Sequence, residues 1–317
     1  MTAASDADAA AEFDELERGT PSESDMQLAA LALDVPGLLP PGVGKEEVAS
    51  LLCSFGRNNF GLLSEMHSLV GAGCYPAAAL LNHSCRPNCV LAFNGSTLQV
   101  RTLVDVRAGD ELCHSYVELC QPTSVRRAQL SERYGFHCEC PRCAHGMTSE
   151  DGEDVDATLQ RDGSGDSSSS AGLLERAASL LAHAACEDDE EKEKAATMGA
   201  LSIRRQVCHP WSLLRYEAEG RALSICLALG ELSSALECCR HAVGFLQRTL
   251  AHLPCHPMLA LQQYTLADLE MAVGEPRRAL ELMEVCSAAL DVTAADGCTV
   301  RTQARERLAE LRELVAR

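Results

Sequence analysis

Residues 79–89 read ALLNHSCRPNC, and this stretch decides how the rest of the chain is understood. An apolar run stops at two polar side chains, Asn82 and His83, and a thiol, Cys85, follows two positions later. Asn82 and His83 follow an apolar run and precede a candidate metal ligand, which is expected to pin them in a loop at a domain junction. Alone, such a pair would be an ordinary loop contact. It gains weight from a second cysteine cluster downstream.

That cluster is CECPRC, residues 138–143, with Cys138, Cys140 and Cys143 within one turn. A structural zinc takes four soft ligands at about 2.3 Å, and one tight turn supplies three more readily than four. Cys85 is the leading fourth ligand, with Cys89, His137 and His145 as alternatives. Four thiolates leave no open coordination position, so such a metal would be structural, contributing on the order of 10 kcal/mol to folding.

Working outward, residues 45–55 place apolar side chains at helical spacing: Val48, Leu51, Leu52 and Phe55. CVLAF and TLQVRTL flank Asn94-Gly95-Ser96, which predicts a hairpin whose turn draws on positive-φ residues. ELCHSY predicts a further strand ending at Tyr116, and Pro122 opens a helix that Gly135 closes. Residues 1–25 read as a disordered acidic tail, and residues 146–170, rich in Ser, Gly and Asp, as a disordered linker. The segments between them, 26–120 and 121–145, form a β-rich domain and its cysteine-bearing extension. From residue 171 to 317 the pattern is helical, with a weak repeat. His209-Pro210 recurs 47 residues later as His256-Pro257, and Leu229-Gly230-Glu231 recurs 44 residues later as Val273-Gly274-Glu275. Stacked helix pairs of the tetratricopeptide kind fit this, although the usual period there is about 34.

The formal net charge of −19 lies mostly in residues 1–25, 150–166 and 187–194, which leaves the folded remainder nearly neutral. No basic stripe exists to track phosphates, which argues against direct nucleic-acid binding. No apolar stretch approaches the length of a membrane span, and no secretory signal is evident. Seventeen cysteines without such a signal suit a reducing compartment, so the expected location is cytoplasm, nucleus or both.

At this point the chain resembles the SET domain family, and within it the SET-and-MYND lysine methyltransferases. NHSCRPN is similar to the family's NHSCxPN motif, whose segment threads under a neighbouring loop. AGDELCHSY (108–116) is similar to its GEEL…Y motif, and GFHCECPRC (135–143) to its post-SET segment. Upstream, NNFGLLSEMHSLVGAGCYP (58–76) matches the Asn-x-Phe to Gly-x-Tyr-Pro stretch. The resemblance implies an α+β fold: a partial SET β-fold with a zinc-bound post-SET segment, then an all-α tetratricopeptide-like domain. The family's first SET half, with its Gly-x-Gly turn, and the inserted MYND finger are not legible in residues 1–44.

The resemblance further implies S-adenosylmethionine and Zn²⁺ as cofactors. Asn58, Asn82 and His83 would hold S-adenosylmethionine, with Phe136 packed on its adenine. Phe60, Tyr116 and Tyr134 would wall a narrow channel for a substrate lysine, and Tyr116 would be catalytic. Cys85, Cys138, Cys140 and Cys143 would bind the metal. These residue types suit methyl transfer from a sulfonium to an amine, an in-line displacement governed by alignment and desolvation. The substrate would be a lysine-bearing protein, a histone among the options. The alternative expectation is a non-catalytic zinc-containing scaffold whose helical domain binds a protein partner.

Overall fold

The computed structural model describes Leu16, residues 19–163 and residues 168–316. The expected acidic tail lies largely outside these residues. Its last part instead starts a helix, α1 (Glu23–Leu33), opened by a capping box in which Ser22 and Asp25 satisfy each other's backbone N–H groups.

Helix α2 (Lys45–Asn58) follows the predicted spacing, burying Val48 against α1. Leu51 and Phe55, expected on the same face, stay partly exposed at 43% and 38%. The helix delivers Asn58 directly into an antiparallel pair, β1 (Asn59–Leu63) and β2 (Leu69–Cys74), with Phe60 opposite Gly73. A Cβ at Gly73 would meet the Tyr75 ring at 3.1 Å, so a glycine here lets Tyr75 lie close against the pair. Tyr75 in turn hydrogen-bonds Ser96 O at 2.6 Å, tying β2 to the next hairpin. A short helix, α3 (Pro76–Ala79), follows.

The predicted hairpin forms as β4 (Cys89–Asn94) and β5 (Thr97–Thr102), in unbroken register from Cys89↔Thr102 to Asn94↔Thr97. Gly95 opens its two-residue turn at φ 57. The strand expected at ELCHSY shrinks to β6 (Cys113–His114), pairing in parallel with β3 (Asn82–His83). It stops there because the Tyr116 N–H bonds to the His83 ring rather than to a strand. Asn88 locks the crossing: its backbone and side chain together bond Cys113 N, Cys113 O, Glu111 O and Leu103 N at 2.8–3.2 Å.

Helix α4 (Thr123–Tyr134) ends where expected, at Gly135 with φ 77. Beyond α5 (Pro141–His145), the expected disordered linker is corrected over its described part. Residues 148 and 154 form a bridge, and Asp154 caps α6 (Val155–Gln160), which buries Val155 and Leu159. The physical reason is electrostatic rather than apolar. Asp156 enters the core to meet Arg126 at 2.7 Å and Arg142 at 3.0 Å, an exchange that the polar composition conceals. Arg248 holds the same segment from outside through Asp151 and Glu153.

The remaining helices are α7 (Ser168–Ala184), α8 (Glu190–Val207), α9 (Leu213–Ala228), α10 (Leu232–Thr249), α11 (Pro257–Ala272), α12 (Pro276–Thr293) and α13 (Thr299–Val315). Each packs on its sequence neighbour. The repeat is physical. After α9, Gly230 (φ 71) donates to Leu227 O, and Glu231 donates to Cys226 O. After α11, Gly274 (φ 86) donates to Met271 O, and Glu275 donates to Glu270 O. These are two copies of one Schellman stop, and Ala235 and Ala279 are fully buried in the helices that follow. The His-Pro pairs diverge: His256 caps α11 directly, whereas α9 waits for Ser212. The helices dock on the β-rich half through Arg101–Asp296 and through Glu65, whose carboxylate accepts from Thr299 and Val300 N–H at the start of α13.

Candidate functional site

The crossing of β3 and β6 brings distant residues onto one cavity of about 590 Å³. The end of α2 and β1 supply Asn58 and Phe60. The crossing supplies Asn82, His83 and Tyr116, and the end of α4 and the residues after it supply Tyr134 and Phe136. All seven cofactor and channel residues expected from the sequence line this space.

Tyr116 sits at the centre of its aromatic wall. Its ring lies 4.8 Å from Tyr134, 4.9 Å from His114, 5.3 Å from His83 and 6.5 Å from Phe136, centroid to centroid. Its hydroxyl donates to Leu81 O at 2.6 Å. With that proton committed, the oxygen's remaining capacity is that of an acceptor. Burial pushes the Tyr134 hydroxyl pKa upward, which keeps it neutral as well.

His83 has a defined tautomer. Its Nδ1 lies 3.0 Å from the Tyr116 N–H and must accept there, so Nε2 carries the hydrogen and faces Cys85 Sγ at 3.2 Å. Both ring nitrogens are thus committed to structure, and the imidazole links the thiol cluster to the backbone of Tyr116. Burial drives its pKa down to about 4, so it stays neutral. Asn82 donates to the Glu111 carboxylate at 2.6 Å, and Asn58 to Ser54 O at 2.7 Å.

Behind His83, the sulfurs of Cys85, Cys138, Cys140 and Cys143 all lie within 4.8 Å of one another, with Cys85 and Cys143 3.5 Å apart. Thiolates bound at about 2.3 Å to one tetrahedral ion sit about 3.8 Å apart, so these donors fit a structural zinc. Cys85 completes the set in this arrangement; Cys89, His137 and His145 are outside it. Within the cluster, hydrogen bonds from Cys143 and Cys85 lower the Cys140 thiol pKa, whereas hydrogen bonding raises that of Cys85 and burial that of Cys138, so the four share their protons unequally.

One feature of this centre has no signal in the motif. Arg126, fully buried, places Nε 3.2 Å from Cys85 Sγ and Nη2 3.8 Å from Cys143 Sγ. Burial would raise the Asp156 carboxyl pKa, but Arg126 and Arg142 hold it below the usual range, so the three remain charged together.

Residues 33–117 match the family model described as the SET domain. The chain carries a SET domain. Over 106 residues it is 40% identical to histone-lysine N-methyltransferase SMYD3 of Homo sapiens, covering 33% of this chain and 24% of that protein. Histone-lysine N-methyltransferase ASHR1 of Arabidopsis thaliana is 26% identical over 278 residues, covering 76% of this chain and 55% of that protein. The chain therefore spans 24% and 55% of the lengths of these two curated relatives. Among solved structures, a Podosopora anserina protein of nearly identical TPR-like repeats aligns at TM-score 0.35 and 19% identity, over 46% of this chain and 67% of that one.

The SET match ends one residue beyond Tyr116 and contains Cys85 but none of the other three thiols. Within the SET domain, sequence reasoning passed over three cavity residues inside the AGDELCHSY motif, Glu111, His114 and Ser115. Glu111 anchors Asn82. His114, only 4% exposed, stands between Phe60 and Tyr116. A period-two strand pattern does signal that alternate residues share a face, but the two-residue length of β6 hid it. Arg57 and Arg133 also reach the cavity wall, and Arg133 bonds Asn59 Oδ1 at 3.3 Å.

Proposed function

We propose that this chain is the catalytic portion of an S-adenosylmethionine-dependent protein lysine methyltransferase, with a structural zinc at the four-cysteine cluster. The observation that carries the proposal is the convergence of Asn58, Phe60, Asn82, His83, Tyr116, Tyr134 and Phe136 on one cavity from four separate stretches of chain. Homologues bearing the names of histone-lysine methyltransferases support it.

When bound, S-adenosylmethionine supplies a methyl group already activated on a sulfonium. The chain's own residues do the rest. Asn58 and Asn82 offer polar groups to the cofactor's amino-acid and adenine ends, and Phe136 offers a face for its ring. Phe60, Tyr134 and Tyr116 exclude water from the entering lysine side chain and disfavour its ammonium form. Tyr116, with its proton held by Leu81 O, accepts an N–H from the neutral amine and leaves the nitrogen lone pair free to attack. Alignment and desolvation are the expected sources of rate, and no side chain here needs to act as general base. Cys85, Cys138, Cys140 and Cys143 would hold the zinc, which would rigidify this corner; the His83 ring links Cys85 to the backbone of Tyr116.

The substrate class is a lysine-bearing protein, with histones among the acceptors to try first. None of the 17 cysteines forms a disulfide among the described residues, and no described helix is long and apolar enough to cross a membrane. A reducing location, cytoplasm or nucleus, suits the free thiols. The test is methyl transfer to core histones, read by mass spectrometry, by the zinc-loaded chain and by Tyr116→Phe. Transfer by the first and not the second is expected. Zinc-loaded, cofactor-binding protein that methylates no lysine in histones or in a whole lysate would favour the scaffold instead.

A further inference from the structure

His114 lies on the wall of the main cavity and also lines a smaller space of about 200 Å³ behind it. Its Nδ1 is 3.1 Å from Ser115 O. A carbonyl only accepts, so Nδ1 carries the hydrogen and Nε2 is left as a bare acceptor. That Nε2 is buried and has no hydrogen-bond partner among the described residues. An orphaned acceptor in the core keeps its full desolvation penalty. Its retention beside the aromatic wall asks for a donor that arrives from outside the chain.

Building on the methyltransferase function proposed above, we infer that His114 Nε2 receives an N–H of the substrate amine, making His114 a further substrate-positioning contact of the active site. A neutral lysine amine has two N–H groups and one lone pair. Two of the residues that line the cavity carry acceptors, Tyr116 through Oη and His114 through Nε2, and their rings are 4.9 Å apart. Occupying both N–H groups leaves the lone pair as the one direction still unbound, and it is the lone pair that must meet the methyl group. An apolar side chain at position 114 would confine the amine without orienting it. The same geometry sets a limit on repeated transfer. After one methylation the amine keeps a single N–H, so a second transfer must place a methyl group against one of the two acceptors.

The experiment uses the full zinc-loaded chain as wild type, His114→Leu and His114→Gln, the last because a glutamine carbonyl reaches the Nε2 position. First, imidazole ¹⁵N spectra are followed during titration with n-butylamine, with and without S-adenosylhomocysteine. A saturable shift at His114 Nε2 is expected in the wild type. Second, core histones are methylated by all three proteins. His114→Leu is expected to raise the KM for acceptor about tenfold and to increase the share of dimethyl product. His114→Gln should recover most of the loss, and S-adenosylhomocysteine affinity and zinc content should be unchanged in both. Wild-type kinetics in His114→Leu, or an Nε2 signal indifferent to n-butylamine, would overturn the inference. A wild-type chain that takes up no S-adenosylhomocysteine would instead remove the methyl-transfer function, and the butylamine spectrum would still decide the role of Nε2.

Discussion

Replacing Arg126 with methionine tests whether the thiol cluster depends on a buried guanidinium. Arg126 is fully buried and donates to Cys85 Sγ at 3.2 Å, Thr123 Oγ1 at 2.9 Å and Asp156 at 2.7 Å. Removing one partner of a buried ion pair costs about 3–5 kcal/mol, because the other charge is stranded. Asp156 keeps Arg142, at 3.0 and 3.2 Å, so the cost falls at the lower end, about 3 kcal/mol. In a chain of this size that lowers the thermal midpoint by about 5–10 °C. A second effect follows from charge. Four thiolates around one Zn²⁺ carry a net negative charge that Arg126 offsets, so its loss raises the thiolates' affinity for protons. Zinc should then leave at a higher pH than in the wild type. Scanning fluorimetry gives the midpoint, and a chromogenic chelator added across a pH series gives the metal release. A folded Arg126→Met protein with an unchanged midpoint and unchanged zinc release would refute both parts of the reasoning.

Tyr116→Phe should lower methyl transfer on the order of a hundredfold while leaving zinc content and midpoint nearly unchanged, measured by single-turnover assay and metal analysis; retained activity would remove Tyr116 from its role. Gly230→Ala and Gly274→Ala each force a side chain into a left-handed backbone with no clash to blame, so each should cost about 1 kcal/mol in urea unfolding, and the two should add. Burial holds His252 and His256 at pKa values of about 4. The unfolded chain takes up protons near their ordinary value of about 6.5, so stability is full above that pH and falls progressively toward pH 4. A thermal midpoint that stays flat from pH 7 to pH 5 would contradict this, and His256→Asn, which can still cap α11, should reduce the slope.

The parts of the site that were legible in the sequence are those whose chemistry depends on residue type at short spacing. Three thiols in CECPRC and the Asn-His-Ser-Cys run announce themselves, because core material seldom combines cysteine with proline, glutamate and arginine in this way. The hairpin turn and the Gly135 stop were legible for a similar reason, since each rests on one glycine's backbone freedom, although Asn94, expected to share the positive φ with Gly95, instead ends β4 opposite Thr97. What stayed hidden depends on partners far along the chain. Asp156 sits in a stretch that reads as solvated linker, and only Arg126, 30 positions earlier, and Arg142 make it core. The assignment of His114 turns on which way a two-residue parallel strand faces, and no local pattern fixes that. The commitment of both His83 nitrogens depends on Tyr116, 33 positions away. In the helical half, the two Schellman stops were visible as Gly-Glu pairs, whereas the equal spelling of the two His-Pro pairs concealed different cap geometries.

The most direct test of the central claim is calorimetric titration of the zinc-loaded 317-residue chain with S-adenosylmethionine, beside Asn82→Ala. The account predicts saturable one-site binding that Asn82→Ala abolishes while keeping its zinc and its fold. Absence of heat from a folded, zinc-loaded wild-type chain would contradict the claim that this cavity, as the described residues form it, is a cofactor site.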